Sequence, residues 1–149
     1  MWITSTLSED LCFARVPVAS KKRVIDSLAQ LFAEHFEEVD AAALFMNLIN
    51  REKLGSTGIG EGIAIPHCRF PTLGRTFCAC MTLEDAVDFD SVDQRPVDLV
   101  FAMVVPEGEE SDHLERLAHL ASKLQDRQYV ERLRAARSAQ ELYLAATAV

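Results

Sequence analysis

Residues Val97–Val105 read VDLVFAMVV, and this nearly continuous apolar run decides the fold. Such a run is typical of a central strand that is covered on both faces, because polar residues alternate along a strand only where one face meets water. Pro106 and Gly108 follow the run and end the strand. Two further strand patterns precede it, at Ile63 to Ile65 and at Phe77 to Leu83. The sequence therefore predicts a sheet with Val97–Val105 as a central strand.

Amphipathic helix patterns flank these strands along the chain. Ser20 can cap a first helix and Asp40 a second, and both helices carry an apolar stripe at helical spacing. A third helix is expected from about Ser111, and a last one from Ser138. Helices at both ends with strands between them predict an α/β fold. We expect a single-domain sandwich over residues 1–149, with a central mixed β-sheet flanked by helices.

Composition places the chain among ordinary globular proteins, with 49% hydrophobic and 26% charged residues. The formal net charge of −8 disfavours nucleic acid as the principal partner. A local basic spot, Lys21-Lys22-Arg23, is expected to be a solvated helix face. The N-terminal segment lacks a signal-peptide pattern, and the longest apolar run is too short to cross a bilayer as a helix. We therefore expect no membrane insertion and a cytoplasmic location.

The four cysteines do not form a Cys-x-x-Cys pair. Cys78 and Cys80 would face the same side of a strand, which suits small buried residues in a reducing compartment. A zinc site built from His67, Cys68, Cys78 and Cys80 is conceivable, but it lacks the paired ligand spacing that is usual for zinc. We therefore predict neither a metal ion nor another cofactor.

The segment most informative for function is Asn50–Cys68, which reads NREKLGSTGIGEGIAIPHC. A helix end carrying Arg51 leads into a glycine-dense loop, and a short apolar strand after the loop delivers His67. Glycine backbone can adopt φ > 0 and turn its N–H groups toward an anion, and Pro66 restricts the approach to the histidine. The segment is therefore a candidate for holding a phosphoryl group. The candidate phosphate-loop residues are Ser56, Thr57, Gly58, Gly60 and Gly62.

Simpler interpretations of this segment stay open. The glycines can form an ordinary tight loop, with His67 a strand-end residue satisfied by hydrogen bonds. Ser56 and Thr57 can stabilise a turn instead of donating their hydroxyls to phosphate. A nucleotide site is disfavoured, because the chain lacks a P-loop motif and the glycines run into a strand instead of opening a helix.

Helical spacing brings two more polar residues into consideration. Arg51 falls on the buried stripe of its helix three residues after Leu48, which places it at the helix end beside the glycine loop. An arginine in that position can also simply complement the helix dipole. His113 lies four residues before Leu117 and so faces inward at the first turn of its helix. The alternative for His113 is a buried histidine paired with a backbone group or with Glu109.

The order and spacing of Asn50–Cys68 resemble the active-site segment of enzyme IIA domains of the bacterial phosphoenolpyruvate-dependent phosphotransferase system. The branch is the one that contains fructose, mannitol and nitrogen-regulatory domains. One departure is Cys68, where many relatives carry glycine, and the substitution removes the freedom of φ > 0 and puts a thiol beside the site. The matching positions are Glu52, Ile59-Gly60 and Ile63-Ala64-Ile65-Pro66-His67.

This resemblance implies a phosphotransferase component with a phosphohistidine intermediate. His67 would accept a phosphoryl group from a histidine-containing phosphocarrier protein of the HPr type. Arg51 would bind phosphoryl oxygens, and His113 would support the phosphorylated histidine. No metal is required for transfer between two imidazole nitrogens.

Three functions are compatible with the resemblance. The leading one is a stand-alone nitrogen-regulatory IIA that acts on transporters or sensor kinases according to its phosphorylation state, since no carrier or permease segment is found within the 149 residues. The second is a fructose- or mannitol-type IIA that passes its phosphate to a IIB domain. The third is a non-catalytic IIA-like binding module. A metal-dependent hydrolase is disfavoured, because the histidines lack a His-x-x-x-His or paired-carboxylate signature.

Overall fold

The computed structural model describes residues 2–71, 74–108 and 110–148. These residues form an α/β sandwich around one six-stranded mixed sheet, as the sequence predicts. The strands are β1 (Cys12–Val16), β2 (Gly58–Gly60), β3 (Ile63–Ala64), β4 (His67–Arg69), β5 (Phe77–Val87) and β6 (Val97–Val105). The helices are α1 (Trp2–Thr6), α2 (Lys21–His35), α3 (Ala41–Leu54), α4 (Glu110–Lys123), α5 (Arg127–Ala135) and α6 (Ala139–Thr147), with a short 3₁₀ turn at Glu9–Leu11.

Strand β6 organises the sheet. The strand order is β1-β5-β6-β3-β2, and β4 also pairs with β6. β6 runs antiparallel to β5 on one side and parallel to β3 and β4 on the other. All of its residues except Asp98 are buried, which agrees with a central strand covered on both faces. The predicted bounds of this strand are confirmed.

The helices begin where their capping residues predict. The side chain of Ser20 accepts a hydrogen bond from Arg23 N, and that of Asp40 accepts one from Ala43 N. Ser138 caps the last helix in the same way. Helix α2 packs against α3, while α6 packs against β1 and α5. No helix in the described part of the chain is long and apolar enough to cross a membrane.

The segment around Pro66 differs from the sequence expectation of one strand at Ile63 to Ile65. β3 ends at Ala64 and β4 begins at His67, with Pro66 between them. Proline has no N–H to give to the ladder, so the pairing with β6 is interrupted there and resumes at His67. The Pro66 carbonyl still accepts a hydrogen bond from Met103 N at 2.9 Å. This break makes His67 the first residue of a new strand.

Candidate active site

His67 has a defined tautomer in the unphosphorylated protein. Its Nδ1 lies 2.8 Å from the carbonyl oxygen of Ile65. Because a carbonyl only accepts hydrogen bonds, Nδ1 carries the proton and Nε2 keeps its lone pair. That lone pair accepts a hydrogen bond from Nε of Arg51 at 3.3 Å.

The charge state of His67 follows from its surroundings. Burial lowers the pKa of this half-buried imidazole below its ordinary value, and the Arg51 cation lowers it further. The Ile65 carbonyl and the Glu52 carboxylate act in the opposite direction, but the net shift of the pKa is downward. His67 is therefore a neutral imidazole near neutral pH, as a nitrogen nucleophile must be.

Arg51 lies in the last turn of α3, where its helical position predicts it. Its Nη1 donates a hydrogen bond of 2.9 Å to the carbonyl oxygen of Gly55, in the turn that follows the helix. The same guanidinium reaches His67 through Nε. Both of these partners are neutral, and no ion pair between Arg51 and a carboxylate is found within the described residues. The guanidinium therefore keeps its full charge beside the imidazole.

His113 joins His67 from the first turn of α4. The centroids of the two rings are 5.3 Å apart. The Nδ1 atom of His113 is buried and has no hydrogen-bond partner within the part of the chain that the structure describes. The alternative partner considered from the sequence, Glu109, lies outside the described residues. The predicted trio of Arg51, His67 and His113 is thus assembled in one place.

The surroundings of His113 are positive. Burial is the largest cause that lowers its pKa, to about 4, and the neighbouring His67 and three arginines add to the effect. A local excess of cations in a chain with a net charge of −8 is suited to an anionic ligand. The arginines are Arg69, Arg116 and Arg51.

The two hydroxyl residues of the candidate loop bond within the protein. Ser56 Oγ donates to the carbonyl oxygen of Phe89 at 2.6 Å and accepts from Gly58 N at 3.0 Å. The N–H of Thr57 donates to the Glu52 carboxylate at 3.1 Å, and its hydroxyl donates to the same carboxylate. These bonds agree with the interpretation that the hydroxyls stabilise a turn. A contact between either hydroxyl and phosphate stays a prediction.

The glycines of the candidate loop lie at different distances from His67. Ile63 pairs with Leu99 and His67 pairs with Met103, a separation of four residues along β6. At about 3.3 Å per residue, this corresponds to roughly 13 Å. Gly62 and Gly60 lie at the Leu99 end, so the structure does not bring them together with His67.

Gly58 is required by packing, and Gly62 by its backbone conformation. A Cβ at Gly58 would be 2.1 Å from the Oγ atom of Ser91. Gly62 has φ of +77°, and a Cβ there would be 2.7 Å from Nη2 of Arg134. Both glycines therefore permit a close approach of backbone to a neighbouring side chain.

Cys68 occupies an ordinary strand position. It pairs with Val104 in β4, is buried, and is not among the residues with positive φ. The freedom of glycine is therefore not needed at this position. Burial raises the pKa of the thiol to about 12, so the sulfur is protonated and unreactive. Within the described residues, no cluster of three or more His, Cys, Asp or Glu side chains can hold a metal ion.

Glu52 and Lys21 are functional candidates that the sequence pattern did not single out as a pair. The Lys21 side chain is only 19% exposed and lies 3.0 Å from the carboxylate of Glu52. The expectation of a solvated basic face is therefore wrong for Lys21. The two residues are far apart in sequence, so the sequence alone does not indicate that they form a pair. The one sign was Glu52 itself, an acidic residue directly after Arg51 in the motif. Arg69 could have been found from its two-residue spacing to His67 on one strand.

Comparison with known proteins agrees with this fold. The family model described as "Phosphoenolpyruvate-dependent sugar phosphotransferase system, EIIA 2" matches residues 5–146. The chain belongs to this EIIA type 2 family, whose role is in phosphoryl transfer, and the resemblance inferred from the sequence is confirmed.

Within the family, the chain is similar to nitrogen-regulatory proteins. It is 48% identical to the nitrogen regulatory protein of Pseudomonas aeruginosa over 128 residues, which cover 86% of this chain and 83% of the relative. It is 40% identical to the Escherichia coli protein of the same name over 143 residues, which cover 95% and 86%. The crystal structure of IIA-Ntr from Neisseria meningitidis superposes with a TM-score of 0.92 and 35% identity, covering 99% of this chain and 100% of that one.

Proposed function

We propose that this chain is a phosphoryl-accepting and phosphoryl-carrying regulatory protein of the nitrogen-regulatory type. His67 accepts the phosphoryl group from an HPr-like histidine phosphocarrier. One observation carries the proposal: the unprotonated Nε2 of His67 lies 3.3 Å from Nε of Arg51, whose guanidinium has no carboxylate partner among the described residues. A nucleophilic nitrogen and a cation for the incoming charge are then present at one point.

The chemistry uses groups that are already in place. Nε2 of His67 attacks the phosphorus atom of the donor phosphohistidine in line, and an N–P bond forms as the donor's N–P bond breaks. The electron pair of the broken bond returns to the donor's imidazole nitrogen. No proton has to leave Nε2, because the proton of the ring is held on Nδ1 by the Ile65 carbonyl.

Arg51 and His113 balance the charge that arrives. The phosphoryl group takes the position on Nε2 that the Arg51 Nε–H now occupies, and the guanidinium turns to the phosphoryl oxygens while it stays anchored on Gly55. His113 is close enough to contact the same oxygens. Because donor and acceptor atoms are both imidazole nitrogens, the transfer is nearly isoenergetic and reversible. Such a transfer suits a signalling relay.

The regulatory type is supported by the identity of the relatives. Proteins named nitrogen regulatory protein reach 48% identity, whereas the fructose-specific EIIABC component of Bacillus subtilis is 35% identical over 83% of this chain. The expected targets are transporters or sensor kinases in the cytoplasm. The alternative recipient is a IIB domain, because the mannitol-specific IIA of Escherichia coli, which shares the fold at 22% identity, has been solved in complex with phosphorylated IIB.

The test is intact-mass detection of phosphoryl transfer from a phosphorylated histidine phosphocarrier. We expect one acid-labile phosphoryl group on the wild type and none on His67→Ala. The matched control is His119→Ala, because His119 is exposed on α4 and bonds to Trp2 away from the site. If the folded wild type stays unlabelled with several cognate carriers, the binding-module function replaces this one. A label on His67→Ala would move the acceptor to another residue.

A further inference from the structure

A buried carboxylate lies beside the site and takes no part in the proposed chemistry. The Glu52 side chain is 4% exposed. Its oxygens accept hydrogen bonds from Thr57 N at 3.1 Å and from the Thr57 hydroxyl, and they pair with Lys21 Nζ at 3.0 Å. A charge removed from water to this extent is tolerated only when its partners compensate it, and within the described residues three donor groups of Thr57 and Lys21 contact Glu52.

Lys21 connects this carboxylate to a separate part of the fold. Its Nζ donates to the carbonyl oxygen of Phe89 at 3.3 Å and lies 5.0 Å from the centroid of the Phe89 ring. Ser56 Oγ donates to the same carbonyl at 2.6 Å. The first turn of α2, the turn after α3 and the loop after β5 therefore meet at one cluster of polar atoms. The cluster fixes the turn at residues 55–57 from two sides.

Hydrogen bonds link this turn to both Arg51 and His67, directly in the first case and through Ile65 in the second. The Gly55 carbonyl accepts the Nη1 hydrogen bond of Arg51 at 2.9 Å. The Thr57 carbonyl accepts a hydrogen bond from Ile65 N at 2.9 Å, and the Ile65 carbonyl holds Nδ1 of His67. The turn is thus hydrogen-bonded to the guanidinium on one side and, through Ile65, to the imidazole on the other.

Lys21 also affects the charge available on Arg51, because it pairs with the neighbouring Glu52 carboxylate. Glu52 is the neighbour of Arg51 in the chain, and its carboxylate carries a negative charge that can compete for the guanidinium. Its carboxylate is instead directed to Lys21 and Thr57. The pairing therefore leaves the Arg51 guanidinium available to an anion at His67.

We infer, on the basis of the proposed function, that Glu52 and Lys21 are positioning residues for phosphoryl transfer. They hold the turn at residues 55–57 so that the Gly55 carbonyl keeps the Arg51 guanidinium aligned with Nε2 of His67. Neither residue touches the phosphoryl group. Small displacements of an aligned group cost a large part of a rate, so loss of this alignment slows the chemical step and leaves the docking of the carrier unchanged.

The first measurement is made on the unphosphorylated protein by nitrogen-15 NMR of the Arg51 Nε–H and the His67 ring. We expect Glu52→Gln and Thr57→Val to lose the Arg51–His67 hydrogen-bond signal, and Lys21→Arg to keep it. Lys21→Met should behave like Glu52→Gln. Persistence of the signal in folded Glu52→Gln and Thr57→Val would overturn the inference. This readout does not depend on phosphoryl transfer, so it separates the inference from the proposed function.

The second measurement is the rate of transfer from the phosphocarrier in single and double variants. We expect Glu52→Gln to lower kcat by about 10-fold or more with KM unchanged. In the Arg51→Ala background the same substitution should have much less effect, because there is no guanidinium left to align. A full multiplicative effect in that background would overturn the inference.

The matched control is Arg134→Gln. Arg134 also ties a turn to the sheet, with Nη2 2.9 Å from Asp98 Oδ1 and 2.7 Å from the Glu61 carbonyl oxygen, but it does so at the Leu99 end of β6. We expect this variant to keep the wild-type transfer rate and the Arg51–His67 signal. An equal loss of rate in Arg134→Gln and Glu52→Gln would show a general effect on the fold and would overturn the inference.

Discussion

An arginine lies beside a glycine-containing turn at each end of strand β6, but the two arginines differ in whether a carboxylate neutralises their charge. At the Asp98 end, Arg134 forms an ion pair with Asp98 and also donates to the Glu61 carbonyl. At the Met103 end, Arg51 donates to the Gly55 carbonyl and the His67 imidazole, and it has no carboxylate partner among the described residues. The first arginine is neutralised by its partner, whereas the second keeps a charge that an anion can use.

This difference marks the candidate site more clearly than the positions of the glycines do. The glycine-rich sequence runs through both ends of the sheet, and Gly60 and Gly62 belong to the end where the arginine is already paired. What distinguishes the Met103 end is an unprotonated imidazole nitrogen that contacts the Arg51 guanidinium, with further arginines near His113. The comparison therefore predicts large functional effects at one end and only small effects on stability at the other.

The largest effect is expected from removing the unpaired arginine. Arg51→Ala should slow phosphoryl transfer to His67 by about 100-fold or more, as loss of one charge-stabilising donor does in other enzymes. Because Arg51 forms no carboxylate pair within the described residues, its loss should change the unfolding midpoint little. Transfer rates and thermal denaturation measured on the same preparation check both parts. A transfer rate within a few-fold of wild type would remove the distinction between the two ends.

The second effect is a dependence of the free energy of unfolding on pH, which arises from the burial of His113. Burial lowers the pKa of His113 from 6.5 to about 4, so the unfolded chain binds a proton in this window and the folded chain does not. The free energy of unfolding should therefore fall as the pH drops from 7 to 5, and His113 should account for about 2 kcal/mol of the fall.

Urea denaturation at the two pH values checks this prediction. His113→Gln should lose less stability on acidification than the wild type, and the exposed His119→Gln should behave like the wild type. Equal losses in wild type and His113→Gln would contradict it. Phosphorylation of His67 places a dianion beside His113, so it should raise the pKa of His113 and reduce the pH dependence.

The central strand, the capped helices and the inward positions of Arg51 and His113 could be predicted because each rests on a local pattern. The apolar run of β6, the caps at Ser20 and Asp40, and the spacing that turns Arg51 and His113 inward are all readable from a few neighbouring residues. The short strand β1 was not predicted, since it has only five residues and contains Arg15 at a φ of +57°.

The remaining features depend on contacts between distant segments. Lys21 meets Glu52 only because α2 packs on α3, and a basic triplet gives no sign of that contact. The distance of Gly62 from His67 follows from the register on β6, which the sequence of the loop does not contain. Local patterns therefore identify the candidate residues, while the sheet register decides which of them lie close together.

A smaller effect is expected at Cys68, which follows His67 at the Met103 end of β6 but takes no part in the proposed transfer. Its buried side chain lies in an ordinary strand, so Cys68→Gly should lower the free energy of unfolding by about 1 kcal/mol through lost burial and a more flexible chain. The transfer rate should stay within about twofold of wild type, because the thiol is protonated and unreactive. Transfer kinetics and urea denaturation check these two expectations. A large gain in rate would mean that the residue after His67 limits the site.

The smallest effect is expected at the paired end. Arg134 and Asp98 are 34% and 38% exposed, and solvent weakens an ion pair of this kind to about 1 kcal/mol or less. Asp98→Asn should therefore shift the urea midpoint slightly and leave transfer unchanged, and the shift should shrink at high salt. If Asp98→Asn instead creates an anion site at Arg134, seen as a phosphate-dependent rise in melting temperature that Arg134→Gln abolishes, then neutralisation by Asp98 alone separates the two ends. No phosphate effect would mean that the imidazole and its surrounding arginines are required as well.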